Sequence, residues 1–207
     1  MTISRNISVM AQGASSSGIL AGGYGGTGAS ILPTTAGNVL FTADGSVWSS
    51  TQKIVRGTSV ASTSGTSIDF TGIPSWAKRV TIMLSGVSTS GTSNWLIQLG
   101  STTVETTGYL SVGTYLGALT SGVAFTAGFG VLMSSATHVG QGWVQISNLT
   151  SNTWVANGSL AGTVGGANYI YSTAGNKSLA AVLDRIRLTT VNGTDTFDAG
   201  SVNILYE

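Results

Sequence analysis

The chain of 207 residues contains no cysteine, one histidine and two prolines, and only 7% of its residues are charged. Without cysteine there is no disulfide framework, no thiolate zinc site and no cysteine nucleophile. A single imidazole, His138, excludes any metal site that needs two. Eight Lys and Arg against seven Asp and Glu leave a net charge of +1. That balance supplies no basic field for phosphates, which argues against nucleic acid as a partner. Long apolar runs are also missing. Thr106 to Ala136 carries no charge, but Gly113, Gly117, Gly122, Gly128 and Gly130 interrupt it, whereas a spanning helix needs about 20 mainly apolar residues. No apolar h-region precedes Ala11, so neither a cleaved signal peptide nor membrane insertion is expected.

The space left by charge is filled by 30 Gly and by 58 Ser and Thr. The hydrophobic fraction is still 42%, with five Trp, six Tyr and five Phe, enough apolar surface for a core. The length suits one moderate domain with an appendage.

Texture changes near residue 50. Residues 10–50 hold one charge, Asp44, and a glycine cluster that includes Gly22, Gly23, Gly25, Gly26 and Gly28 around Tyr24. Glycine adds ordering entropy and no side chain to bury. Residues 1–50 therefore read as an extended attachment segment ordered by assembly with other proteins. Residues 51–207 read as β, in short alternating runs separated by Ser, Thr, Asn and Gly clusters. The runs are Val80–Leu84, Trp95–Leu99, Val123–Met133, Trp143–Leu149, Trp154–Leu160, Tyr169–Tyr171, Leu183–Val191 and Val202–Tyr206. Asn192-Gly193 suggests a type I′ hairpin between Thr190 and Thr194. The expected fold is all-β, an antiparallel sandwich or jelly roll of about eight to ten strands.

Alternate residues of a strand face opposite ways. Trp95 shares its phase with Ile97 and Leu99 and belongs to the core, whereas Trp143 shares its phase with Gln145 and Ser147, opposite Val144 and Ile146. By the same rule Tyr169 and Tyr171 lie opposite Ile170, and Arg185 and Arg187 lie opposite Ile186 and Leu188. These five residues are the candidate binding or subunit-interface set, since exposed aromatics and arginines meet other subunits or saccharide rings. Burial of both faces between sheets is the competing reading.

Other motifs point to turns. Gly23 to Gly28 spells G-x-G-x-x-G, but Ser30-Ile31-Leu32-Pro33 follows where a phosphate-facing helix would have to begin. His138 reads as an exposed loop histidine with no nucleophile elbow in the sequence. Asp195 and Asp198 lie in NGTDTFD without the ligand spacing of a calcium loop, so they read as turn-capping residues. Asp69 and Glu105 look isolated and take the same reading. No catalytic residue, cofactor or metal is expected.

The segment GILAGGYGGTGASILPTTAGNVLFTADGSVWSS resembles the Gly-Gly-Thr-Gly linkers of bacteriophage tail fibres. The body GTSIDFTGIPSWAKRVTIMLSGVSTSGTSNWLIQLG, with the closing block LDRIRLTTVNGTDTFDAGSVNILYE, is similar to a C-terminal region of phage fibres and minor virion proteins. The resemblance spans about residues 18 to 207, and residues 1–17 match no pattern. It implies a non-enzymatic, usually trimeric virion component made in the host cytoplasm. Its N-terminal segment would attach to tail or capsid proteins, and its β domain would face outward, toward a host-surface saccharide if it is an adhesin. A repetitive shaft is missing, which leaves open a short tail fibre or spike, or a head fibre or cement protein. A polysaccharide depolymerase using Asp195 and Asp198 is the enzymatic alternative.

Overall fold

The computed structural model describes residues 38–42, 48–52, 54–116 and 120–207. The chain divides into two units, Met1–Ile54 and Val55–Glu207. In the first, β1 (Asn38–Thr42) and β2 (Trp48–Gln52) form an antiparallel pair. Gly22, Gly23, Tyr24, Gly25, Gly26 and Gly28 lie outside the described residues.

The second unit is an antiparallel sandwich. Its larger sheet has nine strands. Across it run β10 (Thr120–Phe125), β9 (Tyr109–Leu116), β14 (Ala167–Ser178), β13 (Thr153–Val164), β12 (Val139–Thr150), β6 (Arg79–Thr89) and β16 (Phe197–Tyr206). The short β3 (Val55–Arg56) and β4 (Val60–Ala61) both pair with β16. The smaller sheet runs β11 (Phe129–Val131), β7 (Trp95–Ser101), β15 (Arg185–Thr190) and β5 (Ser67–Thr71), with β8 (Thr103–Val104) on β7. All these pairings are antiparallel. No described helix is long and apolar enough to cross a membrane.

The core lies between the sheets because each contributes one alternating apolar face. Val80, Ile82, Leu84, Val144, Ile146, Leu160, Val202 and Ile204 come from the larger sheet, and Ile68, Phe70, Trp95, Ile97, Leu99, Ile186 and Leu188 from the smaller. Trp95 is fully buried, as its phase indicates.

The strands outnumber the expected eight to ten because short edge segments pair with longer neighbours. Val123–Met133 is two strands in different sheets: β10 ends at Phe125 and β11 begins at Phe129. The Asn192-Gly193 turn is not a hairpin, since β15 and β16 belong to different sheets. Only Gly193 has positive φ there, at 66°, and Asn192 Oδ1 accepts from the backbone N–H of Thr194 and of Asp195. An Asx-type turn thus carries the chain from one sheet to the other.

Candidate interaction surface

The twelve-residue strands β12, β13 and β14 form a meander at the middle of the larger sheet. Their inward positions hold the core, and their outward positions carry Val, Ile, Ala, Ser, Thr, Asn, Gln and Trp. Register aligns these outward residues into rows. One row runs Asn203, Met83, Trp143, Ser159, Ser172 and Thr114 across six strands. The next runs Leu205, Thr81, Gln145, Asn157, Ala174 and Val112. Trp143 is 47% exposed here, confirming its outward phase. Within the face, Ser159 and Ser172 hydroxyls are 3.3 Å apart and Gln145 donates to Ser147 at 3.1 Å. A shallow groove of about 220 Å³ lies at one end, between Leu116, Gln141, Thr163, Asn168, Tyr169 and Ile170.

Tyr169 and Tyr171 face the other way. Tyr171 is 2% exposed, Tyr169 is half-buried against the core, and Ile170 is the outward residue at 45%. The sequence Tyr-Ile-Tyr is apolar in both phases, so alternation alone does not decide it. What decides it is the inward partners. Tyr115 packs edge-on to Tyr169 at 5.9 Å, and Tyr171 lies 5.3 Å from the His138 ring. The Tyr171 hydroxyl and His138 Nε2 are 3.0 Å apart. Burial, with the neighbouring Tyr169 and Tyr115, pushes the Tyr171 phenol up to about 12, so the hydroxyl keeps its proton beside the imidazole.

His138 is accordingly buried, not an exposed loop residue. Burial pulls its pKa below the ordinary value, the Met133 backbone opposing part of the shift.

Arg185 and Arg187 do point away from the core, on the smaller sheet. There the Arg187 Nε and an Nη donate to the two carboxylate oxygens of Asp69 at 2.7 and 2.9 Å, and Arg185 pairs with Asp184 at 2.7 Å. Their charges are committed within the chain, and they lie on the opposite side of the sandwich from Trp143. Asp69 is therefore a cross-strand ion-pair partner and not a turn cap. Glu105 is also paired. It meets the buried Lys177 ammonium at 2.6 Å and accepts from the Ala180 N–H at 2.9 Å, while the ammonium sits 5.4 Å from the Tyr109 ring centroid. Burial pushes the Glu105 carboxyl up, but the Lys177 hydrogen bond, the Ala180 N–H and the Lys177 charge together hold it below its ordinary value.

Asp195 and Asp198 act in turns and bulges. Asp195 accepts from the Ser93 N–H at 2.9 Å and from Asn192 Nδ2 at 2.7 Å, and Asp198 accepts from the Ser88 hydroxyl. Among the described residues no three His, Cys, Asp or Glu side chains gather as metal ligands would.

These assignments predict two separate acid-sensitive windows. His138 binds its proton less readily folded than unfolded, so stability falls as pH drops below about 6.5, where the unfolded imidazole gains a proton. Glu105 has the depressed carboxyl. Its contribution is present above its unfolded value of 4.5 and is lost as pH falls through the lower folded value. Urea midpoints measured across pH should show both declines, and His138→Gln should remove only the upper one. A variant that keeps the upper decline would show that another group causes it.

Sequence reasoning passed over Leu110, Val112 and Leu116, which stand exposed on β9, Leu116 opposite Ile170. Their signal is in YLSVGTYL, where Leu110, Val112 and Leu116 share a phase, but Tyr109 and Tyr115 make the other phase equally apolar. Comparison with known proteins yields no matching family model, no similar curated protein and no similar solved structure.

Proposed function

We propose that this protein is a structural component of a bacteriophage particle, a short tail fibre or spike that assembles with copies of itself and adheres to a surface saccharide without catalysing a reaction. The resemblance of its Gly-rich segment and closing block to phage fibre proteins suggests the setting and a trimeric assembly. The observation that carries an adhesive role is the broad outer face of the larger sheet, where Trp143 stands exposed in a row of hydroxyl and amide side chains. A flat indole stacks on apolar faces of rings and side chains, and neutral amides and hydroxyls pair with hydroxyls without the desolvation cost of a charge.

Locating the chain in intact particles tests the setting. Density or antibody label is expected at the tail, and copies spread over the head lattice would reject the tail-fibre reading in favour of a decoration protein. A truncation tests the attachment segment. The unit from Val55 to Glu207 has its own core, so deleting residues 1–50 should leave it folded and abolish its incorporation. Particles that contain the truncated chain at normal copy number would refute that role.

A further inference from the structure

The charges of the second unit are distributed unequally over its two outer faces. The smaller sheet turns Asp69, Arg185 and Arg187 outward. On the larger sheet the four adjoining strands β9, β14, β13 and β12 have no charged outward position, and the exposed charges lie toward the β6 and β16 margin, at Arg79, which pairs with Glu207, at Asp198 and at Arg56. Exposed apolar side chains show the reverse bias. Of the fourteen large hydrophobics exposed among the described residues, seven stand on this one face: Leu110, Val112, Leu116, Val139, Trp143, Val155 and Ile170. Leu110 is 70% exposed. Exposed apolar side chains gathered on one face, interspersed with neutral polar ones, mark an interaction site.

We propose that this face is a self-docking surface, covered in solution by the same face or a neighbouring surface of a second copy of this chain. Three observations favour that occupant. The first is size. Strands about 4.8 Å apart, with outward residues about 6.8 Å apart along each, give a face of seven strands and five rows a footprint on the order of 800 Å². That matches the roughly 800 Å² per partner of a standard stable interface. The second is charge. The central strands β9, β14, β13 and β12 carry no outward charge, so they meet their own copy without like-charge repulsion and without burying an unmatched ion. The third is the distribution of aliphatic side chains. Leu110, Val112 and Leu116 line β9, where Leu116 is opposite Ile170 on the neighbouring β14, and β9 lies three strands from β12 and its Trp143. A saccharide would use the indole and its polar row but gain little from that aliphatic flank. A second protein surface uses both. The inference stands on the geometry of this face and not on the virion setting; it competes with the saccharide for the same Trp143 row, and the binding to agarose tested below separates the two occupants.

The experiment uses the full chain. Val112 and Ile170 are exposed, so the double substitution Val112→Lys and Ile170→Lys places charge on the face without entering the core; Val191→Lys, exposed elsewhere, is the control. Light scattering at tens of micromolar should give a multiple of 20.9 kDa for the wild type and the control, and a monomer for the double variant, with the far-UV spectrum unchanged. Trp143→Ala should weaken association by about 30-fold or more if the indole is a central anchor. A second measurement needs no variant: oxidation of Trp143, read by peptide mass spectrometry, should slow as protein concentration rises. A monomeric wild type would overturn the proposal, as would an oligomer unaffected by the two lysines with Trp143 equally reactive at all concentrations. A monomer that is retarded on unsubstituted agarose beads, and loses that retardation on Trp143→Ala, would give the face to a sugar instead. A monomer in which deleting residues 1–50 speeds Trp143 oxidation would give it to the chain's own N-terminal unit. An unfolded double variant shifts the decision to the oxidation measurement, which either shows the concentration dependence or refutes it.

Discussion

Trp95→Ala should lower folding stability by about 3–5 kcal/mol, the largest loss expected from any single core truncation in this domain. Trp95 is fully buried between the sheets on β7 and donates from Nε1 to the Thr89 hydroxyl at 3.3 Å. Truncation empties a site bounded by rigid strands, and a sheet sandwich cannot collapse around the void without shifting register. It also leaves the buried Thr89 hydroxyl without that donor. Trp95→Phe keeps most of the apolar contact and loses only the hydrogen bond and part of the ring, so it should cost less than the alanine change. Chemical denaturation of the three proteins gives the comparison. A loss below about 1 kcal/mol for Trp95→Ala would contradict the packing of β7 against the larger sheet.

Gly200→Val should be comparably damaging for a different reason. Gly200 lies on β16 with φ at 89°, opposite Gly86 on β6 with φ at 64°, where the β16–β6 register shifts between Ala199 and Ser201. A Cβ at Gly200 would overlap the Gly86 backbone carbonyl and its carbon, and neither atom can swing aside as a side chain could. Left-handed backbone strain of about 1–3 kcal/mol and a further overpacking cost of about 1–3 kcal/mol would act together. Gly193 separates these terms. It has φ at 66° but open space around it, so Gly193→Ala should show only the conformational cost, about 1 kcal/mol. Equal losses for the two variants would mean that the β6–β16 crossing is looser than described and that only φ matters.

The outcome for individual residues shows which signals in the chain are decisive. Trp143 was legible because its neighbours in phase, Gln145 and Ser147, are polar and those out of phase, Val144 and Ile146, are aliphatic. Tyr171 was not, because Tyr169, Ile170 and Tyr171 offer two apolar faces to a period-2 rule. His138 was placed in a loop, which is correct, but its burial comes from Tyr171 on a strand 33 residues later in the chain. Asp69 and Arg187 are separated by 118 positions and meet only because β5 and β15 are neighbours. Asn192-Gly193 had the right residues for a tight turn, yet its flanking strands join different sheets.

Composition and alternation by themselves determine an all-β sandwich without disulfides, with a Gly-rich leading segment and an outward Trp143. These are local properties, set by glycine entropy, by strand periodicity and by the scarcity of charge. Tertiary structure alone decides which strands are neighbours, and strand order is what turns scattered residues into a surface. Leu110, Val112, Ile170, Val155 and Trp143 are spread over 61 positions of the chain. They come to one face because β9, β14, β13 and β12 lie side by side in matched register. Pairing across such separations depends on long-range burial and hydrogen bonding, which no local window of sequence contains.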